Sequence, residues 1–118
     1  MDARKAILLF QHAERIKSQL IIASRLLSDL AGFSADEYVG AEKLLVTYLQ
    51  AVIGEVTIAQ GVEKSVNFIG TQRKIEEAIG RMKLAMHEEA IRCISDALSL
   101  ITTMSQASME ALIEMELI

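Results

Sequence analysis

A chain of 118 residues has room for one proper hydrophobic core, so the expectation is a single domain over residues 1–118. Its 12 basic and 16 acidic side chains leave a net charge of −4, which argues against a dedicated nucleic-acid binder. With 52% apolar residues, no Trp and no Pro, the composition is that of an aliphatic helix former, and no strand is expected.

At the N-terminus, Arg4-Lys5 precedes an apolar run from Ala6 to Phe10, too short for a signal peptide. No run approaches the length of a membrane span, so the expected location is the cytoplasm. The lone Cys93 agrees: without a partner for a disulfide it reads as a small buried hydrophobe in a reducing compartment.

The first helix is predicted from about Asp2 to Ala31. Leu9, Ala13, Ile16, Leu20, Ala23, Leu27 and Leu30 advance by alternating fours and threes, the seam of a coiled coil. Gly32 is expected to end it in the left-handed conformation. Ser34-Ala35-Asp36-Glu37 is a capping box that starts a second helix, and the short loop makes the two helices antiparallel neighbours.

The second helix carries Tyr38, Ala41, Leu45, Tyr48, Val52, Val56 and Ala59, with Leu49 and Ile53 beside them. Gly61 and Gly70 are alternative stops, the first giving four helices of similar length. A further stripe runs through Ile75, Ile79, Met82, Met86, Ala90, Cys93, Ala97, Ile101 and Met104. Two readings remain open there: a corner at Ala85–Glu88, favoured by Glu88 and Glu89 at a helix start, or one unbroken helix. Between Ala97 and Met109 no residue is charged, which predicts burial in the bundle or under another subunit. The first helix is basic and the last acidic, so the two are expected to attract each other.

The fold expected is all-α, an up-and-down bundle of three or four long antiparallel helices completed by oligomerisation. The function expected is a non-enzymatic interaction module, an adaptor or helix-binding chaperone, that self-associates through aliphatic faces. Its interface residues would be Leu9, Ile16, Leu20, Leu27, Met82, Met86, Leu100, Met104 and Met109. Methionine packs into irregular gaps, and in a second reading Met82, Met86, Met104 and Met109 line an adaptable groove for a partner helix. Two His and one Cys without a Glu-x-x-His spacing give no metal set, and no glycine-rich phosphate loop is present, so no cofactor is expected.

Three stretches resemble known families. Arg81 and His87, separated by five residues, resemble the Arg-then-His motif of the HEPN ribonucleases and toxins, small helical proteins that pair such motifs across a dimer. That resemblance implies His87 as general acid or base and Arg81 holding the scissile phosphate. The chain departs from the family's pattern in Met82 after the Arg and in Glu88-Glu89 after the His. Arg15 to Leu27 resembles the first dimerisation helix of sensor histidine kinases, which implies a dimeric four-helix core. Where that family carries its phosphorylated His, this chain has Glu14, with His12 nearby. Met86 to Leu98 resembles the second helix of a tetratricopeptide repeat, with Ala90, Ile94 and Ala97 at the packing positions.

Overall fold

The structure, a computed structural model, describes residues 2–118. It is an up-and-down bundle of four helices: α1 (Ala3–Leu30), α2 (Ala35–Val62), α3 (Val66–Lys83) and α4 (His87–Glu114). No strand occurs among the described residues. The chain breaks at Glu63–Ser65, next to Gly61, and turns again at Leu84–Met86, which decides both open boundaries. The helices are not of similar length, however: α3 has 18 residues and the other three have 28 each. At 1.5 Å per residue α3 is about 15 Å shorter than its neighbours.

Each of the first three helices begins where a side chain satisfies an orphan backbone N–H. Asp2 accepts from the Lys5 amide at 2.8 Å and starts α1. Ser34 and Glu37 form the reciprocal capping box, with the Ser34 amide donating to Glu37 Oε1 at 3.1 Å. Ser65 accepts from the Phe68 amide at 3.0 Å and starts α3, a cap not anticipated from the sequence. Only α4 lacks a side-chain cap, and there Glu88 and Glu89 occupy the positive end of the helix.

The helix ends correct one expectation. Gly32 is not left-handed, since no glycine has positive φ. The α1–α2 turn is closed instead by the Gly32 and Phe33 amides donating to Asp29 and Leu30 carbonyls at 3.0 and 3.2 Å. The left-handed residue is Ala85, with φ 58°. Around it the Met86 amide donates to the Arg81 carbonyl at 2.9 Å and the Ala85 amide to the Met82 carbonyl at 3.0 Å, the paired bonds of a Schellman cap. Glu116, φ 59°, repeats the arrangement at the end of α4.

The core is one continuous aliphatic column. From α1 it takes Ala6, Leu9, Ala13, Ile16, Leu20, Ala23, Leu27 and Leu30, advancing by threes and fours and each at most 2% exposed. The most extensive packing joins α4 to α1 and to α3, while α2 shares less with its two neighbours, α1 and α3. Two of the three buried hydroxyls are satisfied within their own helices: Thr71 donates to the Asn67 carbonyl at 2.7 Å and Ser108 to the Met104 carbonyl at 2.8 Å.

The expected attraction between α1 and α4 takes another form. The interhelix cations of α1 go toward the α2 side, Lys5 to Glu63 and Arg15 to Glu55, each at 3.4 Å. What joins α1 to α4 is a hydrogen bond, Ser105 Oγ donating to Glu14 Oε2 at 2.6 Å, with Lys17 on the same carboxylate. The uncharged stretch of α4 buries Ala97, Ile101, Met104, Ser105 and Ser108, and its solvent side is Ser99, Thr103, Gln106 and Ala107.

Candidate interaction surface

Most of the residues expected at an interface lie inside the bundle. Leu9, Ile16, Leu20 and Leu27 have no exposed surface, Met82 has none, and Met104 is 4% exposed. A regular heptad seam needs a facing helix, and here α2 and α4 of the same chain supply it. Met86 and Leu100 are half-buried, Leu100 resting over Gly70, and Met109 alone of the nine counts as exposed. Met82 and Met104 are core residues, so the methionines do not combine into one open groove.

Open apolar surface occurs on every helix, including Ile21 and Ile22 on α1, Val66 on α3, Ile113 on α4 and a groove of about 370 Å³ lined by Ile7, Phe10, Gln11, Leu112, Leu117 and Ile118. One regular stretch of it runs along α2 and its border with α1. Gly40, Leu44, Thr47, Ala51, Gly54, Ile58 and Gly61 are all exposed and advance by alternating fours and threes. They form a second heptad stripe, uncharged, on the side of α2 roughly opposite its buried stripe of Leu45, Leu49, Val52, Val56 and Ala59. Leu44 is 75% exposed and Ile58 60%. Beside the stripe Leu26, Leu30, Phe33, Ala41, Leu44, Leu45 and Tyr48 line an apolar groove of about 260 Å³. Tyr48 secures that border by donating its hydroxyl to the Gln19 carbonyl at 3.0 Å, and burial raises its pKa.

A sequence signal for this surface existed. No charge occurs between Lys43 and Glu55, and apolar residues there fill more of the helix than one face needs. The same property corrects the expectation about membrane spans: α2 is long and apolar enough to cross a membrane, with a mean hydropathy of 1.3 in its most apolar window. Small residues spread through α2 hide this from a search for Leu-rich runs.

The opposite edge of the bundle is charged. Between α3 and α4 a cleft of about 160 Å³ is lined by Lys74, Glu77, Arg81, Glu89, Arg92, Cys93 and Asp96. Its charges pair among themselves: Lys74 reaches Glu77 at 3.3 Å and Asp96 at 3.5 Å, and Arg81 reaches Glu77 at 3.8 Å. Lys74 holds the Glu77 carboxyl below the usual range, and Glu77 in turn holds the Lys74 ammonium above its own. Desolvation first, and then the Glu77 carboxylate, push the Cys93 thiol up, away from the thiolate that a nucleophile requires.

Arg81 and His87 serve different contacts. Arg81 lines that cleft, pairs with Glu77 and places Nη1 3.8 Å from the Met86 sulfur. The His87 ring is not part of the cleft lining; its Nε2 is hydrogen-bonded to the Tyr38 hydroxyl, with the two rings edge-on at a centroid distance of 5.3 Å. His12 turns Nδ1 into a buried position without a hydrogen-bond partner. Among the described residues no group of three or more His, Cys, Asp or Glu is placed to hold a metal ion.

Comparison with known proteins finds no matching family model, no similar curated protein and no similar solved structure.

Proposed function

We propose that this protein is a non-enzymatic helical interaction module that self-associates, with α2 and the α1–α2 border as its working surface. One observation carries the reading: α2 is apolar on two opposite sides, and its own bundle covers only one of them. Leu44 and Ile58 keep most of their surface in water on that stripe, and covering them would contribute at most about 1.5–3 kcal/mol each. The charged α3–α4 edge supports the same division of surfaces, because its ion pairs are closed internally. The lone buried Cys93 is compatible with work in a reducing cytoplasm.

The test is the solution mass by light scattering or sedimentation over a wide concentration range. Association to a dimer or larger species is expected. A mass that remains that of one 13.0 kDa chain at every concentration overturns the proposal.

A further inference from the structure

We infer that a second copy of this chain covers the outer face of α2 in an antiparallel pairing, α2 against α2, with Leu44 of each copy packed on Gly54 of the other and Ile58 on Gly40. The inference rests on the self-association proposed above and adds its face, direction and register.

The glycines are the first argument. Each helix-interior glycine costs about 1 kcal/mol against alanine. A Cβ placed on Gly40 or Gly54 would meet nothing within 4 Å, so packing inside the chain does not require either. Close approach of another helix does, because a facing Leu or Ile fills the space a missing side chain leaves.

Shape then selects the direction. Parallel pairing stacks Leu44 on Leu44 and glycine on glycine, crowding one layer and emptying the next. Antiparallel pairing sets every large side chain on a glycine and Thr47 opposite Ala51, giving layers of even thickness along the seam. Charge selects the register. Asp36 and Lys64 flank the stripe near its two ends, and neither has an ion-pair partner among the described residues. In this register the first turn of α2, with Asp36, lies beside the far end of the other copy's α2, where Lys64 follows two residues after the helix, so the two charges come close at both ends. Sliding one copy by a heptad would oppose Lys43 and Lys64 instead. Lipid is the poorer occupant, because Gly, Ala and Thr present little apolar area to it, and Lys43, Gln50 and Thr57 border the stripe.

The two-fold axis would pass near Gln50, so cysteine cross-linking reads the geometry directly. In full-length Cys93→Ala protein, Gln50→Cys should form a disulfide-linked dimer on mild oxidation. Lys43→Cys and Thr57→Cys should each stay uncross-linked alone and cross-link with each other when mixed. Efficient self-linking of Leu44→Cys, a seam position that faces its own copy only in a parallel pair, would mean parallel pairing and overturn the inference. A dimer by mass that links at none of these positions would overturn it too, while leaving the self-association reading intact. A monomer defeats both, and a monomer that sediments with phosphatidylcholine vesicles assigns the face to lipid. Leu44→Lys, at an exposed position, should weaken the dimer at least about tenfold with an unchanged helical circular-dichroism spectrum; unchanged dimerisation would overturn the inference.

Discussion

The Tyr38 hydroxyl is hydrogen-bonded to Nε2 of His87, tying the first turn of α2 to the first residue of α4 across 49 positions of sequence. Burial, together with Glu42, raises the pKa of that hydroxyl, so it stays protonated at neutral pH. Tyr38→Phe keeps the ring and removes the bond, and should lower unfolding free energy by about 0.5–1.5 kcal/mol in urea titration. If Tyr38→Phe matches wild type while His87→Ala does not, the ring contact matters and the hydrogen bond does not.

The same histidine bears on RNA cleavage. With His87 engaged by Tyr38 and Arg81 by Glu77, the expected outcome is that purified protein leaves single-stranded and structured RNAs intact. Cleavage that disappears in both Arg81→Ala and His87→Ala would restore the HEPN resemblance as the functional reading.

Backbone conformation predicts different responses at two helix ends. Ala85 is left-handed, a conformation that costs a residue with a Cβ about 1–2 kcal/mol, so Ala85→Gly should raise stability by about 1 kcal/mol. Gly32 is not left-handed, and a methyl added there would have only the Asp29 carbonyl oxygen within 4 Å, at 3.6 Å. Gly32→Ala should therefore be neutral or gain about 0.4–1 kcal/mol. Chemical denaturation of both variants checks the pair; destabilisation by Ala85→Gly would contradict the cap.

Acid should loosen the α1–α4 seam through Glu14. Hydrogen bonding to Lys17 and then to Ser105 lowers the Glu14 pKa, so its folded value lies below its unfolded one. The stabilisation is therefore complete above the unfolded carboxyl range, near about 4.3, and is lost as pH falls through the folded value. Because the carboxylate is partly exposed, the effect is small. Ser105→Ala should flatten part of the fall in stability between neutral pH and pH about 3, measured by urea titration at each pH; an identical pH profile would remove the Ser105 bond from the account and leave Lys17 as the group that acts on Glu14.

Two leucines separate core from surface. Leu20 has no exposed surface, and Leu20→Ala should cost about 2–5 kcal/mol. Leu44 is 75% exposed, and Leu44→Ala should leave the stability of the isolated bundle within about 0.5 kcal/mol. Denaturation at a concentration low enough to dissociate any assembly distinguishes the two; a large loss at Leu44 there would show that it supports the single chain.

The helices and their buried stripes were legible in the sequence because they depend on local chemistry: a period of three and four, the Ser34–Glu37 capping box before α2, and no proline. The seam of α1 was equally legible, but its partner was not. Leu9, Ile16, Leu20 and Leu27 require a facing helix, and periodicity does not say whether that helix belongs to the same chain. Gly61 and Gly70, and the corner near His87, stayed open for a related reason: a helix interior accepts isolated glycines, while the turn at Ala85 uses a residue without any turn signature. Tertiary structure decided these points, since only packing shows which faces are consumed. Once α1 and α3 had packed against one side of α2, the stripe from Gly40 to Gly61 on its other side remained uncovered, and a stripe's exposure is a property of its neighbours.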